Sequence, residues 1–241
     1  MKSTLLAQLI LCAVAAPVSA ADRVDQEAFR TLSDVRDRLR ALDTYVLDTE
    51  VSTRTAVGGG RYRDFKGQVR YVVDRPQHLF ADVQGDGVVR KVYFDGQLIS
   101  VYSPGRNAYA QWDAVGTIET LLAAAREQRG LDLPVAHLFA WDEEPERMRQ
   151  STRATYSGTG VINGRECEHY SYKYEDVVWE LHVDQDSMPC KLSMVDLKDR
   201  GLPGYSAEFT WTTGAPVSPG DFRFTPPPGA QRIPMSEMPE S

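Results

Sequence analysis

The sequence predicts an α+β fold: a strongly curved antiparallel sheet, an incomplete β-barrel, with helices covering its concave side. Three observations carry this expectation. An N-terminal segment repeats apolar residues at spacings of three and four, the mark of an amphipathic helix. Two long stretches alternate apolar and polar residues with period two, punctuated by Gly-Gly-Gly, Asp-Gly and Pro-Gly. Between them the helical period returns, from Thr117 to Trp141. Helix, strands, helices, strands is an order that a curled meander satisfies when its helices pack together over one face or mouth of the sheet.

Taken in order, Asp25 to Leu42 forms the first helix, with Phe29, Leu32, Val35, Leu39 and Leu42 on its apolar side. Tyr45, Leu47, Thr49, Val51 and Thr53 alternate along the first strand, which ends at Gly58-Gly59-Gly60. Val69, Tyr71 and Val73 carry the second strand to the break at Asp74-Arg75-Pro76, and Leu79 to Val83 begins the third. Asp95-Gly96 is expected to form a type I′ hairpin turn, since that dipeptide tolerates the positive φ angles such a turn requires. Pro104-Gly105 reverses the chain again into a run ending near Trp112. Thr117 is placed to cap a helix carrying Ile118, Leu121, Leu122 and Ala125, and Gly130 to end it. Pro134 opens a second apolar helix through Leu138, Phe139 and Trp141, and Pro145 a shorter third.

From Ala154 the chain is β again. Pairing the strands symmetrically about Glu175-Asp176 sets Tyr172 opposite Trp179 and Tyr170 opposite Leu181, an aromatic and aliphatic ladder on one face. Leu192 and Met194 continue it, then Tyr205, Ala207, Phe209 and Trp211, with Phe222-Arg223-Phe224 as a last short strand. In the Asp95-Gly96 hairpin both faces are apolar: Val89, Tyr93, Leu98 and Tyr102 on one, Val92, Phe94, Ile99 and Val101 on the other. Both need a cover, for which helices, a bound chain and ordinary packing are all candidates.

Residues 1–20 have the form of a signal peptide: Lys2, an apolar run from Leu5 to Ala16, and Val18-Ser19-Ala20 before a cleavage after Ala20. Cys12 lies inside that apolar run behind Leu11, unlike a lipid-modified cysteine at a cleavage site. Residues 21–233 suit one half-barrel domain and residues 234–241 a loose C-terminal tail. A bilayer-spanning helix needs about 20 apolar residues, and no second run approaches that, so no stable membrane insertion is expected. Removing Lys2 takes the formal charge from −7 to −8, and no basic block appears. That balance disfavours nucleic acid as a partner, because phosphates call for clustered Lys and Arg.

The best candidate for chemistry is a pair of histidines. The register about Glu175-Asp176 sets His169 across from His182, with Cys167 and Asp184 one step along. Such groups are of the kind that hold zinc, yet they alternate with the aromatic ladder as any solvent face would. They are weak metal candidates, and no metal or other cofactor is expected. Asp142, Glu143, Glu144 and Glu146 form an acidic cluster where a helix start would favour it. His78 and His137 have no visible nucleophile partner, and no Gly-x-Ser-x-Gly elbow occurs. The chain reads as non-enzymatic. Cys167 and Cys190 stand open between bridged and free: an oxidising compartment permits a bond, while an undisturbed strand between them would hold them apart unless a bulge near Pro189 turns the chain.

Several segments together carry a resemblance. They are Val92-Tyr93-Phe94-Asp95-Gly96 with Tyr102-Ser103-Pro104, Gly164-Arg165-Glu166-Cys167-Glu168-His169, Met188-Pro189-Cys190-Lys191-Leu192 and Phe222-Arg223-Phe224-Thr225-Pro226-Pro227-Pro228. In order and spacing they resemble the predicted periplasmic proteins grouped as domain of unknown function 2092, over nearly all of the chain beyond residue 20. The resemblance implies a periplasmic address and favours cysteine at both 167 and 190. That family is similar in architecture to lipoprotein-localisation carriers of the LolA and LolB type, which implies a LolA/LolB-like half-barrel with an apolar hollow lidded by helices. The expected function is then binding of a lipid, an acyl chain or a lipidated protein. Strand phase places Leu47, Val51, Val69, Tyr71, Tyr93, Leu98, Tyr172, Trp179, Leu181 and Phe209 in the hollow. The alternative is an envelope scaffold with a filled core that binds another protein through its surface or sheet edge. Large side chains packed through the interior would favour it.

Overall fold

The structure, a computed structural model, describes residues 20–131, 133–139, 151 and 153–238. The signal segment up to residue 19, Trp141, the acidic cluster at 142–146 and the helix expected at Pro145 lie outside the described residues.

Period-two alternation builds two meanders. The first comprises β1 (Thr44–Gly58), β2 (Arg61–Asp74), β3 (His78–Gly85), β4 (Val88–Asp95), β5 (Leu98–Ser103) and β6 (Ala108–Asp113). The second comprises β7 (Arg153–Ile162), β8 (Arg165–Tyr174), β9 (Val177–Val183), β10 (Pro189–Asp196) and β11 (Gly204–Thr213). β1 and β11 pair antiparallel, joining the meanders, and the two-residue β12 (Gln231–Arg232) adds parallel to β6. The result is one curved, open twelve-stranded sheet in the order β12-β6-β5-β4-β3-β2-β1-β11-β10-β9-β8-β7.

Directly opposed residues share a face, so register alone traces the inner surface. Val101, Val92, Ala81, Tyr71, Leu47 and Trp211 are successive partners across the first meander. Val51, Ala207, Leu192, Leu181 and Tyr170 continue it through the second. The Glu175-Asp176 hairpin has the expected register, with Tyr172 opposite Trp179. The turn at Asp95-Gly96 differs from expectation. Only Gly96 is left-handed (φ 90°), and the Asp95 carboxylate accepts from the backbone N–H of Gln97 at 3.2 Å and Leu98 at 2.9 Å, which stabilises a longer loop. Two-residue turns with both φ angles positive occur instead at Asp86-Gly87 and Asn163-Gly164.

α1 (Ala20–Arg40) lays Ala28, Leu32, Val35 and Leu39 into the core, none more than 4% exposed, and packs along β7. α2 (Ile118–Arg129) starts at Thr117, whose hydroxyl accepts from Thr120 N–H, and stops at the left-handed Gly130. Ile118, Leu121, Leu122 and Ala125 are buried beneath it. The helix expected from Pro134 is only a short 3-10 turn at Ala136–Leu138, because Val135 (φ 55°) adopts backbone that no α-helix continues through. Leu131, Leu133, Val135, Leu138 and Phe139 are nevertheless buried in the same core.

The strand expected at Phe222-Arg223-Phe224 is absent. Pro219–Phe222 is a 3-10 turn, and the prolines at 226–228 lack the N–H groups a ladder needs. Instead the segment covers the outer face of β3 to β6. Phe222 stacks on His78 at 5.3 Å, and Phe224 contacts Tyr93, Tyr102 and Tyr109 at 5.3–5.4 Å. Within the segment from residue 234, Met238 is 6% exposed and Arg106 Nη1 donates to the Glu237 carbonyl at 2.9 Å, while Pro234, Ser236 and Glu237 are exposed.

Candidate functional site

Eight of the ten residues expected to line a hollow share the inner face: Leu47, Val51, Val69, Tyr71, Tyr172, Trp179, Leu181 and Phe209, none more than 7% exposed. Tyr93 and Leu98 are on the opposite face, and Val92, Phe94, Ile99 and Val101 take the inner positions. With both faces of that hairpin apolar, strand phase by itself is two-fold ambiguous. Register counted outward from β1 resolves it, and the aromatic pair Phe222 and Phe224 was the available sign of an outer cover.

Among the described residues the inner face is not an open hollow. α1, α2, Leu131 and the segment from Leu133 to Phe139 occupy the space with apolar side chains. Tyr172 donates from its hydroxyl to the Ala28 carbonyl of α1 at 2.7 Å, and Phe29 stands 6.4 Å from the Tyr172 ring. Tyr71 donates to the Pro134 carbonyl and meets Phe139 edge-on at 5.2 Å. Arg75 pairs with Glu119, and Ile118 N–H bonds the Pro76 carbonyl at 2.9 Å, which fastens the start of α2 to the β2–β3 turn. Burial raises the Tyr172 hydroxyl far above its ordinary pKa and pushes Tyr45 up to about 12 against the pull of Arg75. These tyrosines therefore stay neutral, and the inner face is largely apolar, with Thr49 and Arg90 buried on it, the latter 4% exposed and paired in register with Val83. Clefts in the described region include one of about 420 Å³ on the polar side, lined by Asp48, Glu50, Gln68, Arg70 and Glu208.

The outer face of the second meander holds the histidines. His169 and His182 are directly opposed, their rings parallel within 5° and 4.2 Å apart. Cys167 and Asp184 do not join them. Asp184 pairs with Arg165 at 2.9 Å, and Cys167 is bonded to Cys190 across a Cα–Cα distance of 6.6 Å. The bond is reachable because Glu168 already pairs with Val183, the last residue of β9, so no strand separates the cysteines at that level. A register shift between Pro189 and Lys191 turns β10 toward β8.

Burial first, then His169 and Lys191, hold the His182 pKa down at about 4, against the opposing carboxylates Glu180 and Glu208. The folded value lies below the unfolded one, so the unfolded chain takes the proton first as pH falls. Stability is then fully present above about pH 6.5 and declines toward pH 4, by on the order of 1 kcal/mol for a ring in partial contact with solvent. Urea unfolding at pH 7.5 and 4.5 should show this decline, and His182→Gln should flatten it.

Residues 28–236 match the family described as "Predicted periplasmic protein (DUF2092)". The chain belongs to this family. No curated protein sequence matches this DUF2092 chain. Among solved structures it is similar to the MucA/MucB complex of Pseudomonas aeruginosa, at 16% identity and TM-score 0.46 over 83% of this chain. It spans only 61% of the length of that structure's chain. It is similar also to the lipoprotein LppX of Mycobacterium tuberculosis, at 14% identity and TM-score 0.47 over 80% of this chain and 98% of that one. LprF of Mycobacterium bovis aligns at 14% identity and TM-score 0.42, over 80% and 95% of the two chains. Among the described residues no helix is long and apolar enough to cross a membrane.

Proposed function

We propose that this DUF2092 protein is a non-enzymatic periplasmic carrier, exported with cleavage after Ala20. It takes one hydrophobic chain, from a lipid or a lipidated protein, against its inner face by displacing its own helical cover. The observation behind this reading is that the inner face is a continuous, largely apolar surface, with Arg90 its one buried charged residue among the described residues, and that an amphipathic helix of the same chain occupies it. A groove that accepts a helix through apolar contacts accepts an alkyl chain on the same physical terms. An acyl chain of about fourteen carbons gains on the order of 10 kcal/mol on burial at roughly 0.8 kcal/mol per CH₂. Burying Leu32, Val35, Leu39 and Leu42 of α1 and the turn after it is worth about 1.5–3 kcal/mol each. The two occupants are therefore closely matched, which is what reversible loading and release require.

The second reading is a filled-core scaffold that binds a protein partner through its surface or sheet edge. It is favoured by the complete burial of Tyr71, Tyr172 and Phe209. Purification of the chain from Ala21 under native conditions, followed by extraction and lipid mass spectrometry, separates the two. A stoichiometric lipid displaced by added fatty acid is the result expected of a carrier. A clean protein that also ignores a fluorescent acyl probe would leave the scaffold.

A further inference from the structure

The outer face of β8 and β9 carries a cluster that the carrier reading does not use. His169 is the cross-strand partner of His182, and Glu180 lies two residues before His182 on the same face. One donor atom from each of the three lies within 4.8 Å of the others, and His169 Nε2 stands 3.9 Å from Glu180 Oε2. His169 Nε2 and His182 Nδ1 are buried and have no hydrogen-bond partner among the described residues. Buried polar atoms without partners are uncommon, and one of these two, His169 Nε2, stands beside the Glu180 carboxylate.

We propose that His169, His182 and Glu180 bind one divalent first-row transition ion of the zinc class, with water completing the coordination. Two imidazoles and a carboxylate are a donor set that suits such ions, whereas Mg²⁺ and Ca²⁺ take oxygen ligands. Donors on a tetrahedral zinc stand about 3.4 Å apart, given bonds near 2.0–2.2 Å, so the 3.9 Å pair of His169 and Glu180 closes with a small shift, while the stacked imidazoles must swing out of parallel for both to reach one ion. The backbone beneath is fixed: the Cys167–Cys190 bond ties β8 to β10 two residues from His169. Lys191, the cross-strand neighbour of His182, is the cation nearest in register, and its ammonium is held at 2.9 Å by Glu208 on β11. The site is on the polar face, opposite the apolar trough, and stands or falls independently of lipid carriage.

The test uses the mature chain from Ala21 without an affinity tag, stripped of metal and titrated with ZnCl₂ against a chromophoric chelator. One Zn²⁺ per chain is expected, with a rise in Tm on binding. His169→Gln and His182→Gln should each weaken binding by roughly a hundredfold, and Glu180→Gln, whose side chain is 46% exposed and tolerates exchange, by about tenfold. His78→Gln, on β3 and bonded to Asp74, should leave the affinity unchanged. No uptake, or uptake that survives all three ligand substitutions in folded protein, would overturn the proposal.

Discussion

Phe209→Ala should lower the free energy of unfolding by about 4 kcal/mol, measured by urea denaturation. Phe209 is fully buried on β11, directly opposite Thr49 of β1, at the seam where the two meanders meet. Thr49 itself is buried and spends its hydroxyl on the Val69 carbonyl at 3.1 Å, so it does not move to fill a void. Trp211 at 6.2 Å is held by its indole N–H on the Pro189 carbonyl at 2.8 Å. A truncated ring therefore leaves a cavity with little means of collapse, which places the cost toward the upper part of the usual range. Tyr156→Ala on the edge strand β7, where the ring is 38% exposed, should cost well under half as much. Equal effects at the two positions would mean that the seam is not the centre of the core.

Loss of the Cys167–Cys190 bond is the second large effect. The bond closes a loop spanning 23 positions, for which constraint of the unfolded chain is worth about 3 kcal/mol. For a chain of this size that corresponds to a fall in Tm of roughly 6–12 °C. It should appear in the double variant Cys167→Ser/Cys190→Ser and in wild type treated with a strong reductant. Both cysteines are buried, so mild reductants should act slowly. Identical melting of oxidised and reduced protein would show that the bond does not form in solution.

Much of the architecture was legible in the residues. The spacing from Phe29 to Leu42, the Thr117 cap with its Gly130 stop, and the symmetric pairing about Glu175-Asp176 are local signals, and the structure has each of them. Local backbone chemistry decided the Asp95-Gly96 turn and the Pro134 segment, whereas other features depended on contacts distant in sequence. Tyr93 and Val92 were equally apolar neighbours on opposite faces, and the register carried from β1 through β2 and β3, with Phe224 covering Tyr93, decides which faces outward. The residues leave the Cys167–Cys190 bond open, conditional on a bulge near Pro189; the register shift is present there, while the point at which β9 ends is not something periodicity reports. Phe222-Arg223-Phe224 has strand composition, but its partners are aromatic rings rather than a neighbouring backbone. Of the ten residues that strand phase places in the hollow, eight share the inner face, whereas the extent to which α1, Leu131 and the segment from Leu133 cover it was not legible, because no local pattern measures how deeply a helix seats.

The most direct test of the carrier reading is amide hydrogen exchange on the mature chain with and without saturating fatty acid. α1 from residue 26 to 40 should lose protection when the fatty acid binds, while β1, β2 and β11 keep theirs. Protection of α1 that is unchanged or increased by the fatty acid would contradict displacement of the helix and leave the filled core as the resting structure of a protein-binding scaffold.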